Sequence, residues 1–443
     1  MFVCGALGPH MAAGDSGFIF GDTLTMQRSS DRITPTTRWD PKYEFKAIGL
    51  LSTGFGLVGL DRFIINPLFP VISEDLGLNY QDLGLISAVL ALAWGLSSIW
   101  TGGLSDRIGR KRVLVPAIVI FSLLVATTGL ATGLISLLVI RALMGLAEGA
   151  FVPASIVSTV ESSKPSRVGL NVGIQQMAAP FIGLGAGPVL AVTLLDVLPS
   201  WHWVFGVVAL PGFLVAWMMQ RTLRNDQTAS ATASAHAAGQ SASPLLAVLK
   251  YRAVVINTLG MFCWLSCLII LSVFMPSYLT DHLHLNLTEM GGVLAGLGLG
   301  SCAGMVIIPA LSDRFGRKIV MVTALCIELV ALWLLPRVGA DTTQLFVFLF
   351  LATFMNAGVV AITVGPLTSG SVPAHLATTA TGVVVGLGEI MGGALAPAIT
   401  GAVAQKVGID IVPHIAMYAI VAGIVIVVFG VREPKMGIDP ALA

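Results

Sequence analysis

The sequence is 443 residues long, 56% apolar and only 11% charged, with 24 Lys and Arg against 23 Asp and Glu. A soluble fold carries about 25% charged residues, and a disordered chain lacks this apolar content, so both classes are excluded. The net charge of +1 excludes a nucleic-acid-binding surface, which needs an excess of base to neutralise phosphates. What remains is a helical protein embedded in a lipid bilayer, with about 20 apolar residues per crossing.

Residues 1–45 lack a basic stretch followed by a compact apolar segment, so they read as a cytoplasmic tail rather than a secretory signal. Twelve long apolar runs follow. Six, at 46–70, 81–104, 113–132, 134–160, 168–195 and 201–220, make a first bundle over 46–220. Six more, at 253–277, 289–310, 319–337, 344–367, 380–404 and 413–431, make a second over 253–431. The expected fold is therefore all-α and integral to the membrane, with twelve spans in two six-helix bundles. Between them lies a cytoplasmic loop, 221–252, whose Ala/Ser tract at 225–244 has no periodic apolar face and reads as a flexible linker. Residues 432–443 form a second cytoplasmic tail.

Lys and Arg set the orientation. If the chain starts inside and the runs alternate, 20 basic residues fall inside and two, Arg337 and Lys406, fall outside; Arg62 and Arg141 lie within runs. Both termini are expected in the cytoplasm and the protein in the inner (plasma) membrane, as a monomer. Trp201 and Trp203 stand where an aromatic anchor at the outer interface is expected. Four of the five cysteines, Cys263, Cys267, Cys302 and Cys326, sit in apolar runs and are expected to be buried small hydrophobes, and Cys4 lies in the tail. No His or Cys set has metal-ligand spacing, so neither a metal nor a cofactor is expected. The seven His are scattered and no HExxH, GxSxG or P-loop spacing occurs, so the chain does not read as an enzyme.

The chain also repeats itself. GGLSDRIGRKRV at 102–113 returns as PALSDRFGRKIV at 309–320, and Asn79 and Asp82 return as Asn286 and Glu289 at the same offset. Two six-helix halves in parallel register are a transporter pattern. In each repeated loop a Gly suits a turn that needs positive φ. The Asp is placed to cap a helix or pair with Arg. Ser105-Asp106-Arg107-Ile108-Gly109-Arg110-Lys111 and Ser312-Asp313-Arg314-Phe315-Gly316-Arg317-Lys318 resemble the loop motif of the major facilitator superfamily. The resemblance implies that Asp106, Arg107, Gly109 and Arg110, with Asp313, Arg314, Gly316 and Arg317, latch the halves together in one conformation. Ala310 replaces Gly103 in the second copy, which loosens the packing expected there.

Gly59-Leu60-Asp61-Arg62 and Arg141-Ala142-Leu143-Met144-Gly145-Leu146-Ala147-Glu148, followed by Pro153-Ala154 and Trp201-His202-Trp203-Val204-Phe205, are similar to the anion:cation symporter family of that superfamily. That family carries organic anions with protons or sodium, and the membrane-embedded charges suit such work. Asp61, Arg62, Arg141, Glu148, Glu328 and Glu389 lie deep in apolar runs, each costing about 2.5–3.5 kcal/mol at a helix centre unless it faces protein or water. Arg141 and Glu148, seven residues apart, share a helix face and are expected to pair; with Asp61 and Arg62 they can meet near the midplane. A structural salt-bridge cluster is the alternative.

The resemblance makes Asp61 and Glu148 the proton-coupling acids and Arg62 and Arg141 the bases that handle the anion or gate its path. Glu389 stands where the family more often has Asn, which suggests an additional proton site or a partner for a substrate hydroxyl. Glu328 lies in a run that is peripheral in this fold, which favours a structural role. Gln175, Gln176 and Asn356 read as cavity amides or as helix–helix hydrogen-bonding groups. The expected function is proton-coupled symport of a small organic anion by alternating access; no sodium site is evident. The competing reading is a proton-driven antiporter that exports a drug-like compound or metabolite, for which Gly183-Leu184-Gly185-Ala186-Gly187-Pro188 resembles an antiporter motif.

Overall fold

Twelve helices long and apolar enough to cross a membrane run through the computed structural model, which describes residues 40–224, 248–373 and 376–431 apart from the side chains at 99–100, 102–104, 106–107 and 378. They are α1 (Pro41–Leu76), α2 (Tyr80–Ile108), α3 (Arg110–Thr128), α4 (Leu134–Ser162), α5 (Pro165–Val197) and α6 (Trp201–Thr222) in the first half. The second half holds α7 (Arg252–His282), α8 (Leu287–Phe315), α9 (Arg317–Arg337), α10 (Thr342–Leu367), α11 (Thr379–Val407) and α12 (Ile409–Gly430). All regular structure among the described residues is helical. Cys4, the 225–244 tract and the side chains of Asp106 and Arg107 lie outside the described residues.

Local chemistry sets the helix ends. Asn79 opens α2 by accepting the amides of Gln81 (2.9 Å) and Asp82 (3.1 Å), while Asp82 accepts the Asn79 amide at 3.0 Å. Asn286 and Glu289 repeat this reciprocal cap at the start of α8, at 2.9 and 3.1 Å. The sequence repeat is thus also a structural one. Asp341 caps α10, and the Gln344 amide and side chain that it accepts hold its carboxyl below the usual carboxylate range.

The α2–α3 and α8–α9 connections are single residues, Gly109 at φ +96° and Gly316 at φ +92°. A Cβ is strained there. Gly109→Ala and Gly316→Ala should each lower stability by about 1–3 kcal/mol, read as a drop in melting temperature in detergent. Unchanged melting of both would show that the turns relax to negative φ without cost.

Lipid offers no hydrophobic drive for helices to associate, so close backbone approach and internal hydrogen bonds must do it. Gly296, Gly300 and Gly304 of α8 lie against the backbone of Phe346, Phe350 and Phe354 of α10, where any Cβ would collide. Gly145 and Gly149 of α4 meet α2 at Leu90 and Trp94 in the same way, and Ser97 adds a hydrogen bond to the Leu146 carbonyl at 2.6 Å. The glycines of the 183–188 stretch do similar work. Gly183 packs on Gly59 of α1, and Gly185 is the surface that Gly298 of α8 approaches.

The halves meet along α2 with α11 and along α5 with α8. Their hydrogen bonds are unevenly placed. On the face where α2 begins, called distal here, the Tyr80 hydroxyl donates to Asp281 of α7 (2.8 Å) and its amide to Gln405 of α11 (3.2 Å). Asn66 of α1 donates to the Ser272 carbonyl at 3.0 Å, and near mid-membrane Cys302 donates to the Met177 carbonyl at 3.6 Å. These contacts close the distal face between the halves, a distal-closed arrangement.

Three details differ from expectation. Helix α1 begins at Pro41, ahead of the apolar run, because Glu44 is buried there as acceptor for the Lys164 amide (3.0 Å) and Asn171 (2.8 Å). Trp201 is a core residue whose indole donates to Asp75 at 3.0 Å; only Trp203 is exposed as an anchor would be. Cys326 is exposed on α9 while Cys263, Cys267 and Cys302 are buried. Helices that are apolar all round carry no stripe to say which face turns inward.

Candidate functional site

Helix α1 loosens at Ile64, between segments Pro41–Phe63 and Ile65–Leu76, although Ile64 keeps helical φ and ψ of −64° and −25°. Pro67 has no N–H to offer the Phe63 carbonyl, which weakens the ladder there. Asp61 and Arg62 occupy the last turn before that point. Arg141 of α4, only 1% exposed, secures that turn: its Nη1 donates to the carbonyls of Asp61 (3.0 Å) and Arg62 (3.4 Å). A cation at a helix C-terminal turn is favoured by the exposed carbonyl dipoles.

The expected Arg141–Glu148 ion pair is absent among the described residues. Glu148 is fully buried, and neither of its oxygens has a hydrogen-bond partner; Nε and Nη2 of Arg141 are equally unmatched. The guanidinium is drawn to the α1 carbonyls instead of its own helix neighbour. Asp61, also buried, lies within electrostatic reach of Glu148 and Arg141. A bare carboxylate at Glu148 would forfeit its hydration without replacement, whereas the neutral acid forfeits far less.

Arg62 finds a different partner. Its Nη2 lies 2.8 Å from Oε2 of Glu389 and its Nη1 3.4 Å from Oε1, an ion pair that joins α1 to α11 across the two halves. Glu389 opens a π-helical stretch, Glu389–Leu395, within α11, the kind of local widening found often at functional positions. Arg62, Asn66, Ser87, Arg141, Val273 and Gly393 line a cavity of about 10 Å³ beside the pair, roughly the space of one water. A larger concavity of about 800 Å³ opens on the distal face, but its ionisable lining is acidic (Glu74, Asp196, Asp281 and Glu289), with no base to hold an anion.

Two of the expected cavity amides lie elsewhere. Buried Gln175 of α5 donates to Ser155 of α4 at 3.0 Å. Asn356 of α10 donates to Glu328 of α9 (2.8 Å) and to the Trp264 carbonyl of α7 (3.1 Å), and Cys267 of α7 donates to the same Glu328 oxygen at 3.3 Å. Both amides thus serve helix–helix contacts, and Glu328 is the hub of a buried polar knot joining α7, α9 and α10. Gln176 is half-buried with Oε1 unpartnered. No sequence signal pairs residues as far apart as Arg62 and Glu389 or Glu328 and Cys267; only the expense of burying them marks them at all.

In the repeated loops Arg110 and Arg317 make hydrogen bonds within their own halves. Arg110 pairs with Glu161 (3.3 Å) and Ser105 (3.1 Å), both in its own half. Arg317 donates to the Pro366 carbonyl of α10 at 2.9 Å. Asp313 and Arg314 are exposed, and Asp313 has no ion pair with any described residue.

Comparison with known proteins agrees with this architecture. The chain is 28% identical to the hexuronate transporter of Bacillus subtilis (strain 168) over 283 residues, 60% of this chain and 66% of that one, just under two thirds of its length. It is 24% identical to a sialic acid transporter of Escherichia coli (strain K12) over 392 residues, 86% of this chain and 93% of that one. Among solved structures, a D-xylose-proton symporter superposes with a TM-score of 0.71 at 15% identity, covering 89% of this chain and 99% of the other. The sequence model of the Major Facilitator Superfamily matches residues 51–393 and, overlapping, 269–442. With twelve membrane-capable helices, a repeated half and charges gathered at mid-membrane, the chain belongs to the Major Facilitator Superfamily and is a membrane transporter rather than an enzyme.

Proposed function

We propose that this transporter carries a small organic anion in symport with protons, by alternating access between its two halves. The observation that carries the reading is Glu148: a fully buried acid with no hydrogen-bond partner, set beside two guanidinium groups of the same half. In the proposed cycle Glu148 and Asp61 load protons and Arg62 receives the substrate carboxylate. Arg141 holds the loosened turn of α1 that presents Arg62, and Glu389 is a further protonatable group. Gln176 is the remaining amide offered to substrate. The relatives named hexuronate transporter, sialic acid transporter and 3-(3-hydroxy-phenyl)propionate transporter support a carboxylate cargo.

The bias of Lys and Arg supports cytoplasmic termini; on that reading the distal face is external and its contacts close the protein to the outside. The bundles 46–220 and 253–431 move against each other in a monomer, and the loop motifs with Asp106 and Asp313 latch the cytoplasmic side in the opposite state. Drug export draws less support, because Gly183 and Gly185 of the antiporter-like stretch are occupied in packing against α1 and α8.

Purified protein in proteoliposomes, offered labelled D-glucuronate, N-acetylneuraminate and 3-(3-hydroxyphenyl)propionate with and without an inward proton gradient, tests the proposal. At least one should accumulate above equilibrium only with the gradient. Accumulation of none of the three would overturn the carboxylate cargo.

A further inference from the structure

Of the two guanidinium groups that serve the site, Arg62 is the more exposed. Arg141 is 1% exposed and committed through Nη1 to the α1 carbonyls. Arg62 is the accessible one, and its fork is already filled: Glu389 takes Nη2 at 2.8 Å and Nη1 at 3.4 Å, in the edge-on arrangement that a substrate carboxylate would adopt. Side-chain exposures of 15% and 12% leave this pair reachable. The adjoining cavity of about 10 Å³ has no room for an organic anion beside the pair.

We propose that Glu389 is a tethered competitor for the substrate: its carboxylate occupies the anion subsite on Arg62, and substrate binds only as Glu389 takes up a proton and swings away. The inference rests on the carboxylate reading above and adds a stoichiometric rule to it. Room for the swing lies one turn before Glu389, where a Cβ on Gly386 would meet no atom within 4 Å; on the other side Gly393 lets the side chain lie flat, since a Cβ there would stand 2.6 Å from Oε2.

The loss of the Arg62 partner gives the proton count. The ionisable groups around Glu389 are Arg62 itself, with Asp61, Arg141 and Glu148 behind it. Of the helices packed on α11, the membrane-embedded parts of α2 and α7 contribute no charged residue. A substrate carboxylate that takes the Arg62 fork leaves Glu389 without its cation in a largely buried place, and an uncompensated charge there is expensive, so Glu389 leaves the fork as the neutral acid. Each carboxylate bound therefore brings one proton onto Glu389, besides any carried by Glu148.

Calorimetric titration of the purified protein with D-glucuronate, N-acetylneuraminate and 3-(3-hydroxyphenyl)propionate, in buffers of different ionisation enthalpy at pH 6, 7 and 8, counts those protons. For a carboxylate that binds, the wild type should take up one proton more than Glu389→Gln. Its affinity should fall about tenfold more per pH unit than that of the variant, and Glu389→Gln should bind more tightly at pH 8. Glu148→Gln, which removes the other acid, should retain one proton of uptake and supplies the count if Glu389→Gln fails to fold. Equal uptake by wild type and Glu389→Gln, or no uptake by Glu148→Gln, overturns the tethered competitor and leaves the carboxylate reading standing. Failure of all three carboxylates to bind overturns that reading and this inference with it.

Discussion

Glu148→Gln should abolish accumulation of substrate against its gradient while leaving exchange across the membrane active. The side chain is fully buried and both oxygens lack a hydrogen-bond partner, so the protein holds its neutral form at least cost. Gln is close to that neutral acid in shape, and the variant should fold. It cannot release a proton, so anion movement is uncoupled from the gradient. A gradient of one pH unit supports about tenfold accumulation per coupled proton, since one unit is worth about 1.36 kcal/mol; the variant should sit at the equilibrium ratio instead. Counterflow of labelled substrate should survive. Undiminished accumulation by Glu148→Gln would take the proton from this residue.

Arg141→Ala should be among the most destabilising substitutions in the first half. It removes two charge-assisted hydrogen bonds, at 3.0 and 3.4 Å to the carbonyls of Asp61 and Arg62, and the positive charge beside two buried acids. Breaking a buried charged contact from one side costs about 3–5 kcal/mol, enough to lower the melting temperature in detergent by many degrees. Arg141→Lys keeps the charge but loses the planar fork, so one carbonyl at most is served and roughly half of the loss should remain. Wild-type melting of Arg141→Ala would mean that the loosened turn of α1 is secured by other contacts. Wild-type melting of Arg141→Lys with weakened anion binding would make Arg141 a substrate ligand rather than a strut.

The sequence carries the twelve spans and their caps because both are local. An apolar run of membrane length has few alternatives, and Asn79 with Asp82, or Asn286 with Glu289, closes its cap within four residues. The positive φ of Gly109 and Gly316 is likewise readable, because each is the glycine of a repeated loop whose turn needs it. Charges in apolar runs announce themselves through their expense, which is how Asp61, Arg62, Arg141, Glu148, Glu328 and Glu389 are all found. Their partners are another matter. Arg141 and Glu148 lie on one helix face two turns apart, yet the guanidinium crosses to α1, where a loosened helix offers carbonyls. Arg62 reaches Glu389, 327 residues away. Gln175 and Asn356 look the same as cavity amides in the sequence; only the positions of Ser155 and Glu328 turn them into helix–helix contacts. Trp201 and Cys326 are misplaced by expectation because uniformly apolar helices leave the inward face unwritten.

Simultaneous recording of proton and anion flux in one population of proteoliposomes tests the coupling claim most directly. With a carboxylate gradient imposed and no initial pH difference, entry of the anion should drive protons inward and acidify the lumen, and Glu148→Gln should carry the anion without that acidification. Anion entry by the wild type with no proton movement, or a proton moving outward as the anion enters, would contradict the account.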